Sequence, residues 1–250
     1  MRKHTIELKS EYMQRSVTVG IVTAEKIDKV LLLLHGYGGS FQILDKELPL
    51  GEYAEENNML MILPDMGNGY YIDRPSYRVN DFMMKELLPT VFATYDLGND
   101  MATYIAGISM GGYGSLLIGA TYPKAFKQMI AISPAFIAHD VAIGNPQVVG
   151  TAKSPEVMKY YAEIFAPFDT LEEDPLRNPI PAVIRSHENG TVPEIIMTCG
   201  TKDELYKRNT DAMEVFRGHG VKVDWLSVEE GLHDKECFDK GLRYAFKRLK

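Results

Sequence analysis

The run Gly107-Ile108-Ser109-Met110-Gly111 places a serine hydroxyl between two glycines. It follows the apolar segment 103–106 and precedes a stretch with helical spacing, so the serine is predicted at a strand-to-helix turn. Such a turn is tight enough to favour glycine on both sides, and it leaves the hydroxyl projecting above the edge of a sheet. Ser109 is therefore the candidate nucleophile.

A serine nucleophile needs a histidine base and a carboxylate that orients the base, and after such a turn they follow in the order serine, acid, histidine. Asp203 comes after the predicted strand 194–199, and His233 comes after the predicted strand 221–228. Both would lie at the carboxyl edge of the sheet, where open α/β sheets gather their sites. The alternative for Asp203 and for His233 is that each only caps the helix that follows it. If Asp203 is not the acid, Glu204 is the next candidate carboxylate.

The other five histidines are less well placed to act as the base. His4 lies near the start of the chain, and His139 and His187 lie in the segment 134–193. His219 lies in a polar turn expected at the opposite edge of the sheet. His35 lies in a loop where a structural role is expected.

Acyl transfer also needs N–H donors for the oxyanion, usually from the residue after the nucleophile and from a loop after an earlier strand. Met110 supplies the first amide. The turn 35–39 is rich in glycine and closes the predicted strand 29–34, so the Tyr37 amide is predicted as the second donor. Substrate contacts are expected from Gly36, Asn68, Tyr70 and Tyr71, although an ordinary turn is the alternative for the segment 68–73.

Composition narrows the classes of partner. The net charge is -7, which argues against nucleic acid or an anionic membrane as a partner and favours small-molecule chemistry. The sequence holds no H-E-x-x-H motif, no C-x-x-C pair and no phosphate-binding glycine motif, so neither a metal nor a cofactor is expected. A homo-oligomer is left open.

Cysteine usage and the first residues bear on location. Only two cysteines are present, Cys199 and Cys237, and the chain begins with a polar stretch rather than an apolar signal core. The longest aliphatic run, 30–34, is too short to cross a bilayer. A cytoplasmic location is expected.

Apolar runs alternate with segments of helical period from about residue 29 onwards, which is typical of a parallel sheet covered by helices on both faces. The predicted fold class is therefore α/β, with a mostly parallel central sheet and a single domain over 1–250. An early strand over 16–22 is expected in an antiparallel hairpin with one solvated face. A helix over 81–95 is expected despite Pro89, which could kink it.

The alternation stops in the segment 134–193, which holds 8 of the 13 prolines. We interpret it as a lid-like insertion of loops and short helices that leaves the sheet beside Ser109. It is expected to form one wall of the pocket through apolar residues, namely Phe136, Ile137, Val148, Phe165 and Phe168. A surface elaboration without function is the alternative.

With these residues assembled, the chain resembles the esterase D family of α/β hydrolases, which includes S-formylglutathione hydrolases, cinnamoyl or feruloyl esterases and tributyrin esterases. The resemblance runs from about residue 31 to the C-terminus and is weakest in the insertion. Its most specific motifs are Leu34-His35-Gly36, Gly67-Asn68-Gly69-Tyr70-Tyr71, the run 106–114 and Cys199-Gly200.

The resemblance implies an α/β-hydrolase fold with Ser109, Asp203 and His233 as the catalytic triad, Tyr37 and Met110 as oxyanion donors, and no cofactor. The S-formylglutathione branch carries Leu-Thr-Cys after the loop glycine, whereas this chain has 37–40 as Tyr-Gly-Gly-Ser. A serine carboxylesterase for small acyl esters is therefore expected. The alternatives are a thioesterase of the S-formylglutathione hydrolase type and a non-catalytic binding protein on the same fold.

Overall fold

The computed structural model describes residues 1–143 and 155–250, and within these ranges eight strands form one sheet in the order β1-β2-β4-β3-β5-β6-β7-β8. The strand bounds are β1 Arg2–Ser10, β2 Arg15–Thr23, β3 Lys29–Leu34, β4 Met59–Pro64, β5 Ala102–Ile108, β6 Gln128–Ile132, β7 Glu194–Gly200 and β8 Val223–Val228. β1 and β2 form an antiparallel hairpin, and β2 also pairs antiparallel with β4. The remaining pairs are parallel. This confirms the predicted fold class.

Helices cover both faces of this sheet. Their bounds are α1 Phe41–Glu47, α2 Leu50–Asn57, α3 Val79–Asp81, α4 Leu88–Thr94, α5 Met110–Thr121, α6 Ala138–Ala142, α7 Pro155–Phe165, α8 Pro179–Glu188, α9 Tyr206–Gly218 and α10 Lys235–Phe246. Successive strand residues pack on opposite faces. Leu31 and Leu33 of β3 pack with α1, α2 and α10, whereas Leu32 and Leu34 pack on the α5 side. A strand buried on both faces needs a continuous apolar run, which is what β3 and β4 carry.

The early hairpin forms as expected, but the solvated face predicted for β2 is wrong over its second half. The residues from Val19 to Thr23 are all buried, because α1 covers the face opposite the alternating valines and isoleucine. A Cβ atom on Gly20 would fall 2.1 Å from the Phe41 ring, so this helix packs directly on the backbone of the strand.

The helix predicted over 81–95 is present as a continuous helical stretch. It runs through α3, a π-helical segment Phe82–Leu87 and α4, with Pro89 near the start of α4. The irregularity expected at the proline therefore takes the form of a local change of helix type rather than a break.

The described parts of 134–193 contain helices α6, α7 and α8 and no strand, which confirms the loops and short helices predicted there. One junction to the rest of the fold is at Tyr113 of α5, whose hydroxyl donates to the Arg177 carbonyl at 2.5 Å. A second is the ion pair between Arg208 Nε of α9 and Asp140 Oδ2 at 2.5 Å. The insertion is thus attached to elements on the α5 side of the sheet.

Candidate active site

Ser109 lies in the sharp turn between β5 and α5, with φ at 57° and ψ at -115°. The turn requires glycine because the chain passes so close to itself. A Cβ atom on Gly107 would fall 1.9 Å from the Gly111 carbonyl oxygen, and one on Gly111 would fall 2.1 Å from that of Leu34. The Ser109 amide donates to the Ile132 carbonyl at 2.8 Å, which ties the turn to the neighbouring strand.

The structure brings Ser109, Asp203 and His233 together from three strand ends. His233 Nε2 is 3.0 Å from the Ser109 hydroxyl oxygen, and His233 Nδ1 is 2.7 Å from Asp203 Oδ2. With the proton on Nδ1, the ring donates to the carboxylate and accepts from the serine hydroxyl. Such a chain of hydrogen bonds lets the imidazole take the serine proton while the carboxylate fixes the tautomer.

Asp203 uses both carboxylate oxygens. Oδ1 accepts from the Leu205 amide at 2.8 Å, so the capping role considered from the sequence is also present, while Oδ2 bonds to His233. Burial raises the pKa of this carboxyl, but the hydrogen bonds and charge of His233 with the Leu205 bond outweigh it, and the pKa lies below its ordinary value. Asp203 is therefore held as a carboxylate beside the histidine.

The loops that carry Asp203 and His233 are in direct contact. The Lys202 amide donates to the Gly231 carbonyl at 2.9 Å, and a Cβ atom on Gly200 would fall 2.2 Å from that same oxygen. The ring of Phe238 packs edge-on against the His233 ring, with 5.0 Å between centroids. These contacts fix the imidazole in position.

The residues considered as alternatives are placed elsewhere. Glu204 is exposed, and the His233 ring bonds to Asp203 instead. Of the remaining histidines, His4 contacts Tyr95, His139 pairs with Glu172, His219 caps the end of α9, and the His187 ring lies near Gly220.

His35 holds the glycine-rich loop, as its predicted structural role requires. Its Nε2 accepts from the Met66 amide at 3.0 Å, so Nδ1 carries the proton and donates to the Gly36 carbonyl at 2.7 Å. Burial lowers the pKa of His35, which keeps the ring neutral and able to accept. The Tyr71 hydroxyl donates to the His35 carbonyl at 2.9 Å.

Further bonds hold the same loop from the segment after β4. The Gly38 amide donates to Asn68 Oδ1 at 2.6 Å, and the Gly39 amide donates to the Gly36 carbonyl at 3.0 Å. The Tyr37 amide has no hydrogen bond within the described residues, so it is free to donate to a ligand. The Met110 amide is the first N–H of α5, and an N–H at that position has no acceptor within its own helix.

A cavity of about 390 Å³ opens beside Ser109. Its described lining consists of loop, helix and triad residues: Gly36, Tyr37, Gly38, Gly39, Ile43, Leu44, Glu47, Leu48, Ile108, Ser109, Glu204, His233 and Phe238. Gly36 lines the cavity as expected. The contribution of α1 was missed from the sequence, although Ser40 as an N-cap followed by apolar residues at 41, 44 and 48 has the spacing of a helix with one apolar face.

The structure corrects the expected positions of Asn68, Tyr70 and Tyr71, none of which lines this cavity. Tyr70 and Tyr71 both have positive φ, at 54° and 58°, and their side chains are buried. Tyr71 points to the His35 carbonyl, and Asn68 to the Gly38 amide. In the structure Asn68 and Tyr71 bond to the glycine-rich loop, and Tyr70 packs behind it.

The described part of the insertion does not form the expected wall, since no residue of 134–143 or 155–193 lines the cavity. Phe136, Ile137 and Phe165 are buried, and Phe168 is half-buried, in the core on the α5 side. They pack there because Tyr70 and Tyr113 offer an aromatic surface behind the loop. Val148 lies outside the described residues.

Burial makes the two free thiols poor nucleophiles. It raises the pKa of Cys237 to about 11 and that of Cys199 well above its ordinary value. No group of three or more histidine, cysteine, aspartate or glutamate side chains in the described ranges is arranged to hold a metal ion. Within the same ranges, no helix has the length and apolar character needed to span a membrane.

The chain matches the Esterase family model, described as "Putative esterase", over residues 10–219. It is 30% identical over 223 residues to an acetyl esterase of Caldicellulosiruptor saccharolyticus, covering 87% of this chain and 82% of the relative. It is 31% identical over 111 residues to an S-formylglutathione hydrolase of Paracoccus denitrificans, covering 35% of this chain and 39% of the relative. FphF, a fluorophosphonate-binding serine hydrolase of Staphylococcus aureus, superposes with a TM-score of 0.84 at 19% identity over 99% of this chain and 98% of the other.

Proposed function

Because the chain belongs to the Esterase family and is a carboxylic ester hydrolase of the serine type, we propose that it works through an acyl-enzyme on Ser109. The observation that supports this most strongly is the pair of bonds at His233, 3.0 Å to Ser109 and 2.7 Å to Asp203. It is the geometry that nucleophilic catalysis by a hydroxyl needs.

In the first half of the proposed reaction, Ser109 Oγ attacks the ester carbonyl carbon while its proton passes to His233 Nε2. The negative charge that forms on the carbonyl oxygen is stabilised by the Tyr37 and Met110 amides. The bond to the alcohol oxygen then breaks, and His233 returns the proton to the leaving alcohol. Asp203 stabilises the imidazolium throughout, and its lowered pKa keeps it ionised for this role.

In the second half, a water molecule attacks the acyl carbon and gives its proton to His233. The new tetrahedral intermediate uses the same two amides. It collapses as the bond to Ser109 Oγ breaks, and the serine recovers its proton from the histidine. The products are the carboxylic acid and the free enzyme, and each step uses groups of this chain with water as the co-reactant.

We propose small acyl groups for the substrate, meaning acetyl, short-chain or hydroxycinnamoyl. The cavity of about 390 Å³ is near the lower end of the range for ligand pockets, roughly 300 to 1,000 Å³, and it must hold both halves of the ester. The likeness to an acetyl esterase over 87% of the chain favours the same choice.

A panel of 4-nitrophenyl acetate, butyrate and feruloyl esters, together with S-formylglutathione, tests this assignment. We expect kcat/KM to be highest for one of the oxygen esters. A preference for S-formylglutathione would favour the thioesterase alternative, towards which the match to an S-formylglutathione hydrolase points. Ser109→Ala run in parallel separates an enzyme from a binding protein, because the variant must lose turnover of every ester if Ser109 is the nucleophile.

The segment 134–193 is proposed to act on the site indirectly. Tyr161 of α7 packs against Tyr37 and Tyr70, so the insertion supports the loop that carries the second oxyanion donor.

A cytoplasmic location is also proposed, supported by two buried cysteines that are both free thiols. Fractionation of cells that produce the protein tests the location.

A further inference from the structure

Two carboxylates line the cavity beside Ser109. Glu47 is the last residue of α1, and Glu204 follows the triad aspartate. Both side chains are exposed, and neither carboxylate has a hydrogen bond or ion pair to another residue in the described part of the chain. Within the described ranges, both carboxylates thus line the cavity without an ion pair to a protein cation.

The rest of the lining does not compensate for these charges. It is backbone or apolar apart from Tyr37, Ser109 and His233, and the described lining holds neither lysine nor arginine. Glu47 also lies in the last turn of α1, where the free carbonyls of a helix end add partial negative charge. Lys46 is adjacent in sequence but is not part of the lining.

We propose that Glu47 and Glu204 determine the charge selectivity of the enzyme: among esters of equal shape, a cationic ester is hydrolysed fastest and an anionic ester slowest. This inference rests on the proposed function. A unit charge about 8 Å from each carboxylate would gain or lose roughly 2- to 30-fold in kcat/KM per carboxylate, for effective dielectric constants of about 80 to 20. Leaving groups that carry carboxylates, such as glutathione, would be disfavoured.

Three acetate esters provide the test: acetylcholine, its neutral isostere 3,3-dimethylbutyl acetate, and the anionic 3-sulfopropyl acetate. We expect the wild-type ratio of kcat/KM for the cationic ester over its neutral isostere to exceed about 5 at low salt. That ratio should fall towards 1 in 1 M salt, where the screening length is only about 3 Å. The ratio of kcat/KM for the anionic ester over the neutral ester should lie below 1 at low salt and rise towards 1 at high salt.

The variants are Glu47→Gln, Glu204→Gln and the double variant, with Glu214→Gln as the matched control. Glu214 is an exposed glutamate of α9 that does not line the cavity, so its variant should keep the wild-type ratios. Each cavity variant should lower the cation preference, and the double variant should bring it near 1. Glu47→Lys should invert it. Esters that turn over too slowly are compared by competitive inhibition of 4-nitrophenyl acetate hydrolysis.

The inference would be overturned if wild-type kcat/KM were the same for the cationic, neutral and anionic esters. It would also be overturned if the double variant kept the wild-type ratios of kcat/KM. Failure of the proposed function gives a different result, because wild-type protein would then leave 4-nitrophenyl acetate intact. If the wild type hydrolyses 4-nitrophenyl acetate but shows no charge selectivity, only the role of the two glutamates is contradicted, and the proposed function stands.

Discussion

The ring of Tyr161 packs edge-on against the ring of Tyr37, with 5.7 Å between centroids. Tyr161 belongs to the insertion and Tyr37 to the loop proposed to bind the oxyanion, so this contact joins the two. Tyr161 is buried and also contacts Tyr70, whose side chain lies against α5 and α7 through Tyr113 and Phe165. The insertion therefore reaches the site through packed aromatic rings.

Tyr161→Leu should lower kcat about tenfold and leave KM nearly unchanged, because an oxyanion donor acts mainly in the transition state. The measurement is steady-state kinetics with 4-nitrophenyl acetate. Phe165→Leu is the matched control. Phe165 is in the same aromatic cluster and contacts Tyr161 and Tyr70, but within the described residues its ring does not pack against Tyr37. Equal losses in both variants would mean that general destabilisation explains the effect.

Asn68→Ala should lower kcat by about tenfold, because the variant removes the acceptor of the Gly38 amide next to the Tyr37 donor. Asn68→Asp keeps an oxygen acceptor at the same position and should restore most of the rate. A KM effect without a kcat effect would instead place Asn68 in contact with the substrate, as the sequence alone suggested.

The two partners of Ser109 should differ in how much each matters. His233→Ala removes the base and should cost about as much as loss of the serine, whereas Asp203→Asn should cost less, roughly 10⁴-fold in kcat, because it favours the wrong tautomer. Steady-state rates of both variants, with circular dichroism to confirm folding, provide the test. An Asp203→Asn variant within about tenfold of wild type would show that another carboxylate orients the base.

Stability should decrease on mild acidification because of His35. Its pKa in the folded state lies below 6.5, so between these two values the unfolded chain binds the extra proton and unfolding becomes easier as pH falls. Protonation also removes the acceptor of the Met66 amide. The Tm of wild type should drop below about pH 6.5, and His35→Gln, although less stable at neutral pH, should show a flatter profile there. Parallel profiles for the two proteins would contradict this assignment.

Local sequence patterns predicted most of what positions the proposed triad. The turn at Ser109 and the loop after β7 follow apolar runs that are typical of buried strands, and the loop after β8 follows a shorter, mixed run at the edge of the sheet. Parallel strands then bring their carboxyl ends to one edge, and the order of serine, acid and base follows.

The walls of the cavity were not predictable in the same way, because they depend on how elements pack. Tyr70 and Tyr71 have positive φ values, and their side chains are buried. A tyrosine in a sequence does not predict positive φ, because non-glycine residues rarely adopt it. The described part of the insertion packs behind the loop, while α1, only seven residues long, lines the cavity. Because α1 is far in sequence from Glu204 and Phe238, the sequence did not predict that all three line one cavity.

Labelling with a fluorophosphonate probe, followed by peptide mapping, tests the central claim most directly, because the probe forms a covalent bond only with an activated serine. We predict one modified peptide, carrying the label on Ser109, in wild-type protein, with labelling lost in Ser109→Ala and strongly slowed in His233→Ala. Stoichiometric labelling of Ser109→Ala, or a label on any other residue in wild type at the same rate, would contradict the account.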